Sequence, residues 1–275
     1  MIIQAENVHM VYEGRTVLDE ISFSVRRGEC LGIIGPNGSG KSTLLKLLSG
    51  IEDVTSGRIN VNGKPIRKYP RKELAKWLAV LQQESLPPVG FTVREVVEMG
   101  RYPFQNWLGQ EKDEYQSLID TILEKMGLSH LSDRHLEQLS GGERQRVALG
   151  KTMAQKPKLL MLDEPTTYLD IGHQIHLMDR IREWQLDEKM TVIAVLHDLN
   201  LAALYCDRLL LLHNGRVIKE GPPEGILQAG LIEQVYGTSP AVLWHPVYHV
   251  PQIILQSSFI GRRTAPMEER EEGFA

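Results

Sequence analysis

The sequence predicts an α/β fold: a mostly parallel sheet with crossover helices, an antiparallel β layer and an inserted helical subdomain. Three observations carry this prediction. Short, continuous apolar runs at residues 30–34, 78–81, 159–162, 191–196 and 209–212 alternate with helix-compatible segments, as strands buried on both faces of a parallel sheet do. Residues 2–12, 16–25 and 57–66 are instead β-rich and partly alternating, which reads as an antiparallel layer. From 84 to 138 the chain reads mostly as amphipathic helix.

In chain order, Ile3, Ala5, Val8 and Met10 mark the first strand, and Val17, Leu18, Ile21, Phe23 and Val25 the second. Residues 30–34 then run into a glycine-rich loop, after which 42–48 has helical character. Residues 57–66 supply a third antiparallel strand. The helical segment opens with Pro87-Pro88 and continues as helices over 93–99 and 115–126, broken by a loop at 100–109. Asn214-Gly215 is a hairpin turn signal between residues 209–213 and 216–219. After Ser257 the chain turns polar, ending Glu268-Glu269-Arg270-Glu271-Glu272, which reads as a solvated tail. The expected organisation is a core with its antiparallel layer at 1–83 and 151–255, a helical subdomain at 84–150 and a tail at 256–275.

Composition narrows the function. With 275 residues and 42% hydrophobic content, the chain can bury a sizeable core. Thirty-one Lys+Arg against 35 Asp+Glu give a net charge of −4, and residues 84–138 hold ten acidic residues to five basic. Neither offers the positive field that nucleic acid or an anionic membrane requires, so no nucleic-acid partner is expected. No apolar run approaches the roughly 20 residues that span a bilayer, so a membrane role must come through a partner. Residues 1–11 carry no secretory pattern, which points to the cytosolic side. Cys30 and Cys206 lie in apolar surroundings without metal-ligand spacing, as reduced core thiols do.

The chemistry begins at Gly35-Pro36-Asn37-Gly38-Ser39-Gly40-Lys41-Ser42-Thr43, which has P-loop spacing and sits after a strand and at the start of a helix. This makes the core a P-loop NTPase core. Glycines let backbone N–H groups turn inward around phosphate oxygens, Lys41 reaches the β/γ-phosphates, and Ser42 can ligate Mg²⁺. Residues 159–164 form an apolar strand ending in two carboxylates. Asp163 is placed to hold Mg²⁺ and Glu164 to polarise the attacking water, although two such carboxylates could also be a solvated edge or a helix cap. Gln83 and His197 end two further apolar runs and point at the same rim. Ser140-Gly141-Gly142-Glu143 opens another helix and forms a second phosphate site. Both sites can face one nucleotide only if two chains pair head to tail.

With these residues in view, positions 1–255 resemble the ATP-binding cassette (ABC) family of ATPases. Gly35–Thr43 looks like its Walker A loop, Gln83 like the lid-loop glutamine (the register favours it over Gln82) and residues 139–143 like its LSGGQ signature with Glu143 in place of Gln. Residues 162–164 look like Walker B and the catalytic glutamate, Leu169-Asp170 like the D-loop and His197 like the switch histidine; Tyr12 lies where the family stacks an aromatic on adenine. The resemblance implies Glu164, His197 and Gln83 as catalytic residues. It implies Ser42, Gln83 and Asp163 as Mg²⁺ ligands, and Tyr12, the P-loop, Ser140, Gly141, Gly142 and Asp170 at ATP.

Leu86-Pro87-Pro88, residues 92–97, Gly100-Arg101-Tyr102-Pro103 and the late stretch His245-Pro246-Val247 with Val250-Pro251, there resembling a terminal strand segment, narrow the resemblance. They look like ATPases of iron–siderophore, haem and vitamin B12 importers. The implied protein is a peripheral ATPase on the cytoplasmic face of the membrane. It would form a homodimer, or pair with a homologous ATPase, drive a polytopic permease and serve indirectly an extracytoplasmic substrate-binding protein. Tyr102, Phe104 and Trp107 either line a groove for a cytoplasmic helix of that permease or form the insert's own core. The rival reading is a soluble ABC ATPase acting as a clamp or scaffold, which usually shows a second cassette, a long coiled coil or basic arms.

Overall fold

The computed structural model describes residues 1–82, 90–105, 115–167 and 169–257. The first strands, β1 (Ile3–Tyr12) and β2 (Arg15–Val25), are followed by β3 (Cys30–Ile34), α1 (Lys41–Leu48), β4 (Ser56–Val61), β5 (Lys64–Pro65), α2 (Arg71–Leu74) and β6 (Leu78–Leu81). The helical stretch holds α3 (Val93–Glu98), α4 (Gln116–Lys125) and α5 (Gly141–Ala154). Beyond it come β7 (Leu159–Asp163), α6 (Ile171–Glu188), β8 (Thr191–Val195), α7 (Leu199–Tyr205), β9 (Arg208–His213) and β10 (Arg216–Gly221). The described chain closes with α8 (Pro223–Ile226), α9 (Ala229–Tyr236), β11 (Ala241–Trp244) and β12 (Pro251–Ile254).

The predicted layers form as the hydrophobic patterns require. β3 and β8 are buried at every residue and lie inside a six-stranded sheet of order β10-β9-β3-β8-β7-β6. Its internal pairings are parallel, and only the edge strand β10 runs antiparallel. One face, with Leu31, Ile33, Met161, Ile193 and Leu210, packs on α1 and the antiparallel sheet β2-β1-β4-β5. The other, with Ile34, Leu160, Leu162, Val192 and Leu211, shares one continuous apolar cluster with α3, α4, α5, α6 and α7. Among the described residues the helical segment therefore has no separate core of its own; its inner face is completed by the sheet.

Two expectations change in detail. The strand expected over 57–66 is a hairpin, because Asn62-Gly63, both at positive φ (54° and 77°), turns β4 into β5. Asn214-Gly215 makes the predicted turn in the same way, at φ 48° and 75°, between β9 and β10. The late segment is corrected: residues 245–250 are a turn, with the His245 N–H donating to the Val250 carbonyl (2.8 Å) and His249 at φ 53°, and the strands are the residues on either side. The hairpin is held to α7 by Asn200, whose amide accepts from the Ile253 N–H at 2.7 Å and donates to the Ile253 carbonyl at 3.3 Å. The two thiols meet in the core: Cys30 Sγ and Cys206 Sγ are buried, reduced and 3.8 Å apart.

Candidate active site

Four strand ends build one rim. Ile33 and Asp163 are both paired with Val195, and Leu81 with Leu162, so the residues following β3, β6, β7 and β8 leave the sheet together. At Gly35 (φ 152°) a Cβ would stand 2.1 Å from the Leu212 carbonyl oxygen, so only glycine lets the loop pass β9. The loop closes on a Ser39 N–H to Pro36 carbonyl bond of 3.2 Å, and α1 starts at Lys41 with its free N–H groups turned toward the loop.

Lys41 is only 5% exposed and donates to the Gly35 and Pro36 carbonyls at 2.9 and 3.0 Å. Burial pulls its pKa down, and the Glu164 and Asp163 carboxylates oppose that pull. Ser39 Oγ is buried with no hydrogen-bond partner among the described residues. An orphaned hydroxyl beside an ammonium resting on its own loop carbonyls fits the phosphates of a nucleotide, which would engage both. Pro36 and Thr43 are half-buried and Asn37 is exposed.

Ser42 Oγ donates to Asp163 Oδ1 at 3.1 Å. Burial raises the Asp163 pKa; the Ser42 hydrogen bond works against it and the neighbouring Glu164 adds to it. Two hard oxygen donors held this close suit a divalent cation such as Mg²⁺. They line a crevice of about 340 Å³ with Lys46, Ser49 and Gln82. Gln83 lies outside the described residues, so the structure places Gln82, the neighbour passed over on register, beside Ser42 and Asp163.

Glu164 takes φ 50°, a left-handed conformation that costs a non-glycine residue about 1–3 kcal/mol, while its N–H donates to the Val195 carbonyl at 3.1 Å. Its carboxylate meets His197 Nε2. His197 is exposed and directly precedes Asp198, the N-cap of α7. The structure thus brings Lys41, Ser42, Asp163, Glu164 and His197 to one rim.

The Ser140-Gly141-Gly142 turn opens α5 instead. Ser140 caps α5, accepting from the Glu143 N–H at 3.3 Å, while Glu143 accepts from the Ser140 N–H at 2.7 Å. The Ser140 N–H, then the hydroxyl, hold the Glu143 carboxyl below its usual range. This capping box, which Glu or Gln can complete, gives Glu143 its place, and the Ser-x-x-Glu spacing already signalled it. No hydrogen bond among the described residues joins Ser140–Gly142 to Gly35–Thr43. Asp170 caps α6, and Tyr12 closes β1, 37% exposed, with its hydroxyl on Glu52. Tyr102 is 69% exposed, whereas Phe104 is half-buried under the Arg101 guanidinium at 3.9 Å; Trp107 lies outside the described residues.

The chain is also similar to known proteins. The ABC transporter family model matches residues 18–167. The chain is 36% identical to the ferric enterobactin transport ATP-binding protein FepC of Escherichia coli, over 92% of this chain and 93% of that one. It is 41% identical to the hemin import ATP-binding protein HmuV of Vibrio parahaemolyticus, over 92% of this chain and 97% of that one. Among solved structures it resembles cbiO1 of Clostridium perfringens, part of the ABC transporter complex cbiONQ, with a TM-score of 0.74 and 32% identity over 85% of this chain and 93% of that one.

Proposed function

The chain belongs to the ABC transporter family of ATP-binding proteins, and from that premise we propose that it is the ATPase subunit of an importer for a ferric siderophore or a related haem- or cobalamin-type chelate. The observation that carries the ATPase chemistry is the meeting at one rim of the P-loop, the Ser42–Asp163 pair at 3.1 Å and the Glu164–His197 contact. The importer reading draws on 36–41% identity to transport and import ATP-binding proteins over nearly the whole chain. Among the described residues no helix is long and apolar enough to cross a membrane, so translocation falls to a separate polytopic permease.

In this reading Lys41 and the loop amides hold the β- and γ-phosphates, while Ser42 and Asp163, with Gln83, hold Mg²⁺. That ion, when bound, neutralises charge developing on the phosphates. Glu164 accepts a hydrogen bond from the attacking water and orients it, and His197 steadies Glu164 and the γ-phosphate. Tyr12 stacks on adenine. Ser140, Gly141, Gly142 and Asp170 act on the nucleotide of a second chain, so the working unit is a two-fold homodimer, or a pair with a homologous ATPase, on the cytoplasmic face of the membrane. Residues 1–83 and 151–255 form the ATP-binding core, and residues 84–150 the helical subdomain that meets the permease. A chelate-binding protein outside the membrane delivers cargo to the permease, not to this chain.

The test is to purify the tagged chain from membranes and to measure uptake of iron-loaded siderophore and of haem in cells lacking it. A polytopic membrane protein that co-purifies, with loss of chelate uptake restored only by an active chain, supports the reading. Recovery free of any membrane protein, with chelate uptake intact, overturns the importer reading in favour of the clamp.

A further inference from the structure

The first turn of α6 carries a side chain that the nucleotide chemistry above does not use. His173 follows Asp170 by one helical turn, and the two are joined twice. The His173 N–H donates to Asp170 Oδ1 at 2.9 Å, and His173 Nδ1 stands 2.8 Å from both carboxylate oxygens. The far edge of the ring lies over the turn that opens α5: a Cβ built on Gly142 would sit 3.5 Å from His173 Cδ2 and 3.7 Å from Nε2, ordinary contact distances. Gly142 and His173 help line a crevice of about 270 Å³, together with Arg146, Leu149 and Leu177.

Helix capping alone does not account for this arrangement. Asp170 caps α6 through the backbone N–H of residue 173, which any residue but proline supplies. The imidazole adds a second bond that fixes the ring's orientation, as a carboxylate does for a histidine whose far nitrogen must be aimed. What it is aimed at is a turn with no side chains to grip, Gly141-Gly142, leaving packing on the α carbons as the available hold. The Asp170 carboxyl lies below its usual range, mainly through the backbone N–H and then the ring of His173, so it stays ionised as the ring's anchor.

We propose that His173 is a positioning residue that braces the Asp170 turn against the Gly141-Gly142 turn, so that both meet the nucleotide of the opposite chain as one rigid unit. The proposal rests on the two-fold arrangement above. α5 continues from the helical layer and α6 lies on the sheet, so the ring also sets how far the glycine turn stands forward from Asp170.

The test uses the full chain carrying Glu164→Gln, in which ATP-driven dimers accumulate, with dimer mass followed by light scattering against ATP concentration. A fluorescent ATP analogue reports P-loop affinity at protein concentrations too low for dimers. His173→Ala is expected to raise the ATP concentration for half-dimerisation at least about tenfold, and in the Glu164 background to lower kcat by a similar factor, with monomer affinity within about twofold. His173→Asn keeps a donor for Asp170 but withdraws from Gly142, and His173→Gln reaches toward Gly142 but loses the Asp170 anchor; both should stay impaired. Full dimerisation and kcat in His173→Asn would reduce the ring to a capping aid and overturn the proposal, as would normal dimerisation of His173→Ala. If the Glu164→Gln parent itself forms no ATP-dependent dimer, the two-fold reading fails first and the brace falls with it.

Discussion

Glu164 combines a strained backbone with a contact to His197, and the proposed role for it rests on that combination. Its φ of 50° turns the carboxylate off the line of β7 toward His197, while Asp163, one residue earlier, stays extended and bonded to Ser42. Two adjacent acids thereby receive two jobs. Replacing Glu164 with Gln keeps size and polarity but loses the acceptor that orients water; ATP binding should persist and turnover fall by at least about 10³-fold. Near wild-type hydrolysis in that variant would remove Glu164 from the mechanism. His197→Ala should lower kcat by about 10²–10³-fold, the usual loss for one polar contact at developing charge, with little change in ATP affinity. A variant that binds ATP poorly yet turns over normally at saturation would contradict this role. The P-loop and the paired acids were legible in the sequence because their spacing is fixed by phosphate and metal geometry. The left-handed Glu164 was not, since no local residue type announces it and the bond its N–H makes is to Val195, on a strand distant in sequence.

At the scale of elements, α5 depends on its first turn. Ser140 and Glu143 satisfy N–H groups that would otherwise be orphaned, and the same box recurs at Thr92 and Glu95 on α3. Ser140→Ala should cost about 1 kcal/mol of stability, read as a shift in urea midpoint. Glu143→Gln should cost less than Glu143→Ala at pH 7, because glutamine completes the box but lacks the charge that strengthens it. The Glu143 pKa lies below its unfolded value, so its contribution is present above the unfolded pKa and fades as pH falls through the folded one. Acidification below about pH 4.5 should therefore erode the difference between wild type and Glu143→Ala; a difference that grows instead would show that the box is not what Glu143 supplies. The parallel strands were readable as unbroken apolar runs because both their faces are covered. The C-terminal hairpin is harder to read because β11 is largely exposed, and what holds its pairing with β12 in place is distant in sequence: Asn200, 53 residues from Ile253, ties β12 to α7.

For the whole molecule the question is where the P-loop and the Gly141-Gly142 turn meet. Within the chain no hydrogen bond among the described residues links them, and Gly141 has nothing within 4 Å of where its Cβ would be, an open face on the turn. If that face closes on a second chain, lesions in the two turns fall in different half-sites. Lys41→Ala disables the P-loop of its own chain, whereas Gly141→Glu sets a carboxylate against the phosphate bound by the other. Each homodimer should be inactive. In mixed dimers one composite site carries both lesions and the other none, so activity should return toward about half per mixed dimer if one intact site suffices. Strict cooperativity between sites would hide that rescue, so a direct geometric measurement accompanies it. The Ser39 side chain is 3% exposed and unsuited to crosslinking, but Asn37, two residues earlier, is exposed. Asn37→Cys and Ser140→Cys, with Cys30 and Cys206 replaced by alanine, should crosslink between chains only when ATP is present. A crosslink confined to single chains, or a monomer with full activity, would place both turns on one nucleotide within a chain and exclude the two-fold arrangement.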